Sequence, residues 1–174
     1  YLKLHTPDCD IIVIGTDGGL LETPQAPVSE LLIVPAERYE IVLKPRKTGQ
    51  LTLQNLPYNR EKMMEEFKPV TTVLANIVYT ASDKAVPAKL RTLPKFGKPT
   101  TEHTVGFSEE MGMEMKQMFK VNGKTFDMQR IDITSKLGAT EDWLVSNASH
   151  MDHPFHLHGI QFEIIEFIDS AESS

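Results

Sequence analysis

One cysteine, one tryptophan and a 7% aromatic share are the scarcities of this 174-residue chain. A single thiol, Cys9, excludes an internal disulfide, because a bridge needs two. No apolar run approaches the roughly 20 residues that a membrane-crossing helix requires, so a helical span is excluded. Basic charge is in deficit: 18 Lys and Arg face 24 Asp and Glu, a formal net charge of −6. With no basic stripe to neutralise phosphates, a nucleic-acid partner is not expected. Heptads, fixed-period repeats and a Gly-rich phosphate loop are also missing. The chain opens on Tyr1-Leu2-Lys3-Leu4, which reads as mid-strand rather than as a signal peptide. The expectation is a segment of a longer protein whose compartment the opening does not reveal.

Strand signals are what the chain has in quantity: short β-rich runs separated by turn residues, the pattern of an all-β sandwich. Tyr1 to His5 and Asp10 to Gly15 come first, followed by the turn Thr16-Asp17-Gly18-Gly19, whose paired glycines accept positive φ. Val28 to Val34, Arg38 to Leu43 and Gln50 to Gln54 follow, and Thr71 to Thr80 reads as a buried strand. Pro87, Pro94 and Pro99 then punctuate a lysine-rich stretch with the composition of an extended linker. Beyond it, Phe119 to Asn122, Ile131 to Thr134, Trp143 to Asn147 and Ile160 to Ile168 are the expected strands, with Trp143 and Phe162 as core residues. The predicted organisation is a first unit over 1–80, a linker over 81–101 and a second unit over 102–174.

Four of the six histidines fall in His150-Met151-Asp152-His153-Pro154-Phe155-His156-Leu157-His158-Gly159. Imidazole is the commonest protein ligand for borderline transition metals, so His153, His156 and His158 are the candidate metal ligands. If Phe155 to His158 enters a strand, His156 and His158 share one face and His153 has the opposite parity. A short segment would then serve two metal centres. His156, His158 and Glu163 also satisfy an H-x-H-x₄-E spacing, that of the single-metal cupin barrels. The glycines the cupin pattern expects on either side are His150 and Ser170 here, so Glu163 reads as an exposed strand residue. Met111, Met113, Met115 and Met118 form a second concentration, after Met63 and Met64. Thioethers suit Cu(I), but methionine also fills cores, and packing is the favoured reading. His5 and His103 stand alone and read as structural; His150 is placed near the site without a ligand role.

His153-Pro154-Phe155-His156-Leu157-His158-Gly159 resembles the H-P-x-H-x-H-G motif of the multicopper oxidases, which include laccases, bilirubin oxidases and cuprous oxidases. Val121-Asn122-Gly123-Lys124-Thr125-Phe126-Asp127 with Arg130-Ile131-Asp132 resembles the start of that family's third cupredoxin domain. Ile14 to Glu22, Leu31 to Glu37 and Leu56-Pro57-Tyr58 resemble the second half of its middle domain, most closely in bacterial three-domain members. The resemblance implies incomplete Greek-key cupredoxin sandwiches whose open edges invite self-association. It implies copper as cofactor: type 1 through His153, and the trinuclear type 2 and type 3 centre through His156 and His158. Oxygen and a small reducing substrate would be the partners in the parent protein, in a periplasmic, secreted or spore-coat setting. The family's histidine–cysteine–histidine motif is absent, and Cys9, between Asp8 and Asp10, is expected to be a buried thiol rather than a copper ligand. Alone, the chain should complete neither copper site. A non-catalytic cupredoxin-like scaffold or binding protein is the alternative from a different class.

Overall fold

The computed structural model describes residues 1–61, 66–80, 84–112 and 117–168. Among these residues the regular structure is ten strands and no helix, as an all-β chain requires. Two compact units divide the chain. The first comprises Tyr1–Pro57, Val70–Leu93 and Phe155–Ser174; the second comprises Tyr58–Pro69 and Pro94–Pro154.

In the first unit, β1 (Leu2–His5), β4 (Glu30–Ile33), β6 (Gly49–Leu56) and β7 (Thr72–Tyr79) form a sheet in the order β4-β1-β6-β7. A second sheet sets β2 (Cys9–Thr16) between β3 (Gly19–Leu20) and β5 (Glu40–Pro45). The β-branched run Ile11-Ile12-Val13 is buried on both faces of β2, which is why it lacks polar alternation. Leu4 and Leu51 of the first sheet, with Cys9, Ile11, Ile12 and Val13 of the second, supply the buried apolar side chains. The β2–β3 turn closes at Gly19, whose φ of 85° suits a residue without a Cβ. At Gly15 an added Cβ would meet Glu40 Oε2 at 2.9 Å, and the β2–β5 register shifts at the same place.

The second unit holds one sheet of β8 (Thr101–Met111), β9 (Gln117–Val121) and β10 (Glu141–Asn147), in the order β10-β8-β9. β9 pairs antiparallel with β8 and β10 pairs parallel with it, from Glu141 opposite Thr101 to Asn147 opposite Phe107. Val105 and Met151 are its buried apolar residues. Over 84–100 no strand forms.

Three expected strands come out differently. Thr71 to Thr80 does form a strand, but an exposed one: Val73, Leu74 and Val78 remain 55%, 45% and 77% accessible. It sits at the end of its sheet, and apolar composition alone does not supply a covering layer. Ile131 to Thr134 carries no ladder; Ile131 is 81% exposed, and ion pairs of Arg130 and Lys124 with Asp132 hold the neighbouring backbone instead. Ile160 to Ile168 also forms no strand, and Phe162, expected in the core, is exposed. A strand exists through its neighbour's hydrogen bonds, and no described strand pairs with this segment. β8, by contrast, is not anticipated, because His103 and Glu109 interrupt the face that carries Val105, Phe107 and Met111 and leave only a short apolar alternation.

Candidate metal centre

His153 closes a short polar loop of the second unit. Asn147 Nδ2 donates to the Met151 carbonyl at 3.0 Å, and Asn147 Oδ1 accepts the Ser149 amide at 3.0 Å. Glu109 Oε1 accepts the His150 amide at 2.7 Å and lies 3.1 Å from His150 Nδ1. Tyr58 donates to the Asp152 carboxylate, and Arg60 Nη2 to the Asp152 carbonyl at 3.1 Å. These bonds fix the backbone on either side of Met151 before the ring is placed. The ring of His153 then stacks on Phe107, with centroids 5.4 Å apart and an interplanar angle of 14°. Phe119 meets it edge-on at 5.8 Å and 74°. Its Nε2 is buried without a hydrogen-bond partner among the described residues. An orphaned buried polar atom costs roughly 1–3 kcal/mol and calls for an explanation such as a bound ion.

His156 and His158 belong to the first unit, since the division between the units falls after Pro154. Their rings lie 4.8 Å apart, edge to face at 82°. No strand carries them; Gly159, at φ 78°, turns the chain directly after them, and they meet across a local bend instead of through strand parity. They line a groove of about 150 Å³ with Asp17, Arg38, Gln161 and Phe162. Asp17 Oδ1 accepts from Arg38 Nε at 2.9 Å, and the Asp17 carbonyl accepts from Gln161 Nε2 at 3.2 Å. The other carboxylate oxygen, Oδ2, lies 4.0 Å from His156 Nδ1. The structure thus brings His156 and His158 together. It places His153 in a separate aromatic cradle, and among the described residues no three metal-capable side chains converge.

The other singled-out residues have local roles. Cys9 is 1% exposed in β2, and burial pushes its thiol pKa up, with Asp10 adding to the effect, so the thiolate that a blue-copper site uses is disfavoured. His5 Nδ1 lies 3.0 Å from the Ser29 carbonyl. His103 Nε2 lies 3.3 Å from Glu141 Oε2, out of hydrogen-bond line, beside Trp143 at 4.9 Å. Glu141 is held below the usual carboxylate range by the Ser135 hydroxyl first, then by Trp143 and His103. Glu163 is exposed but not on a strand. Met63, Met64, Met113 and Met115 lie outside the described residues; Met111 is exposed and Met118 half-buried. No local pattern in the sequence marks Phe107, Phe119 or Glu109 as a neighbour of the histidines, and Asp17 has the setting of a plain turn residue.

A family model for multicopper oxidases matches residues 95–173. The chain is 37% identical to the structure of a multicopper oxidase, a metallo-oxidase, from Campylobacter jejuni; the TM-score is 0.81 over 91% of this chain and 36% of that one. It is 31% identical to the multicopper oxidase mco of Staphylococcus aureus, over 92% of this chain and 31% of the relative. It is also 32% identical to the cell division protein FtsP of Photorhabdus laumondii, over 88% of this chain and 33% of the relative. The chain belongs to the multicopper oxidase family, and its sheets are those of cupredoxin-like sandwiches. It spans about a third of the length of these relatives.

The family implies copper. The donors fit in kind: imidazole nitrogens suit copper, and His153 has a buried ring nitrogen with no partner among the described residues.

Proposed function

We propose that this chain is part of a copper-dependent oxidase that couples one-electron oxidation of phenols, related aromatics or metal ions to the reduction of oxygen to water. The observation that carries the reading is the edge-to-face pair His156 and His158, ring centroids 4.8 Å apart, which lines a groove. His156 would serve a type 2 copper and His158 a type 3 copper, with His153 at a type 1 centre. Ligands beyond these three would come from residues this chain does not contain. Bound copper would supply one-electron redox chemistry that no side chain here provides.

The chain's own contribution is placement. Phe107 stacks on the His153 ring and Phe119 meets it near-perpendicularly, which together restrict the ring's orientation. The hydrogen bonds of Asn147, Glu109, Tyr58 and Arg60 hold the loop that carries it.

A Cu(II) titration followed by elemental analysis and visible spectroscopy tests the assignment. The chain is expected to bind Cu(II) weakly, without the intense blue band of a copper–thiolate centre. His156→Ala and His158→Ala should each weaken binding by more than the roughly 10–100-fold typical of losing an outer-shell partner. Titrations unchanged in both variants would overturn the ligand assignment. The similarity to a cell division protein favours a second reading, a non-catalytic scaffold or binding module. Absence of copper from the full gene product, with no oxygen uptake on a phenol or a reduced metal ion, would favour that reading.

A further inference from the structure

Asp17 occupies the tight turn between β2 and β3, where an Asp-Gly pair is favoured for the turn alone, but its carboxylate also makes contacts beyond the turn. Its side chain is held by Arg38 and its backbone by Gln161. Arg38 Nε donates to Oδ1 at 2.9 Å, and Gln161 Nε2 donates to the Asp17 carbonyl at 3.2 Å. Gly18 lets Gln161 approach: a Cβ there would lie 3.2 Å from Gln161 Oε1. Arg91 Nη2 donates to the Gly18 carbonyl at 3.2 Å and secures the same turn. With Oδ1 engaged by Arg38, Oδ2 is the oxygen that faces His156 Nδ1, at 4.0 Å, with both side chains about a quarter accessible (24% and 28%).

We propose that Asp17 is a positioning residue for His156, its Oδ2 selecting the ring tautomer and orientation that leave Nε2 as the lone-pair donor. At 4.0 Å the contact is electrostatic rather than a formed hydrogen bond, and a sub-ångström approach closes it. Its direction follows from charge. A protonated Nδ1 presents a positive N–H dipole to the carboxylate, whereas a bare Nδ1 would set a lone pair against it. The favoured neutral ring therefore carries its hydrogen on Nδ1. Metal-ligating histidines commonly have their second nitrogen fixed by such a carboxylate. The inference deepens the reading of His156 as a copper ligand and rests on it only for the consequence for copper.

The test uses the metal-free full chain at about pH 8, where an unperturbed imidazole is neutral. Nitrogen-15 NMR of His156 in the wild type should show one dominant tautomer with hydrogen on Nδ1. Asp17→Asn, nearly isosteric, should shift the ring toward a mixture, and Arg38→Gln, which frees the carboxylate without removing it, should do so partially. Equal thermal melts would show that the variants stay folded. A Cu(II) titration should then weaken by roughly 10–100-fold in Asp17→Asn. A mixed tautomer in the wild type, or one unchanged in both variants, overturns the proposal whatever copper does. An Asp17-dependent tautomer on a ring that Cu(II) leaves unperturbed would uphold the positioning role and remove the copper-ligand assignment instead.

Discussion

Ile11 retains no solvent exposure, and its amide and carbonyl both bond to Val28, at 2.8 and 2.9 Å. Truncating such a side chain removes transfer free energy and leaves a cavity that its neighbours fill only in part. Ile11→Ala should destabilise the first unit by about 2–5 kcal/mol in urea unfolding. Leu137→Ala, at a fully exposed position, should stay within about 0.5 kcal/mol. Equal effects at the two positions would contradict the burial assigned here. Ile11 was legible as a core residue because its neighbours in β2 are uniformly apolar. The histidine pair was legible too, from ligand chemistry and spacing, although the strand expected to align it is absent. The partners were not legible: Asp17 lies 139 positions before His156, and Phe107 lies 46 before His153, separations that no local pattern reports.

At the scale of elements, short apolar or alternating runs bounded by turn residues mark β1, β2, β5 and β6 to within a few residues. Segments whose order comes from polar contacts carry no such pattern, and Val121 to Asp132 shows why. Asn122 and Gly123, at φ 50° and 75°, make the tight turn after β9 that an Asn-Gly pair favours. Asn122 also ties the turn to β8, donating to the Thr104 carbonyl at 2.8 Å and accepting the Gly106 amide at 2.7 Å. Beyond it, Arg130 Nε approaches both oxygens of Asp132, at 2.7 and 3.0 Å, and Lys124 reaches one at 3.0 Å. Two cations hold the Asp132 carboxyl at about 2, against an ordinary 3.8, Arg130 being the larger influence. A lowered folded-state value means that the stabilisation is fully present above pH 3.8 and is lost as pH falls through about 2. Because the group is solvent-exposed, the effect stays local and weakens with salt. Carbon-13 NMR of Asp132 should give a midpoint near 2, rising toward 3.8 in Arg130→Gln. A wild-type midpoint already at the ordinary value would remove the pairing.

At the scale of the whole molecule, three sheets of three or four strands each end in edges, and the edges differ in what they expose. β7 is the most open of them. It pairs with β6 on one side, and no described strand pairs with the other. Val78 is 77% accessible on it, with Val73 and Leu74 also exposed. An unpaired apolar edge is a template for strand addition, and natural proteins blunt such edges with charge, lysine above all. The edge residues Thr72 to Tyr79 carry no charged side chain. A net charge of −6 opposes association only over roughly a Debye length, about 8–10 Å at physiological salt, so it does not protect an edge once two copies meet. The chain is therefore expected to self-associate through β7, with a concentration-dependent sedimentation coefficient. Val78→Lys places a charge where a second strand would dock, on a side chain already facing solvent, so the fold should be retained. Sedimentation velocity at several concentrations should show the variant shifted toward monomer while its circular dichroism matches the wild type. Identical concentration dependence in the two proteins would mean that association, if seen, uses another edge, and would turn attention to the exposed apolar segment Ile160 to Ile168.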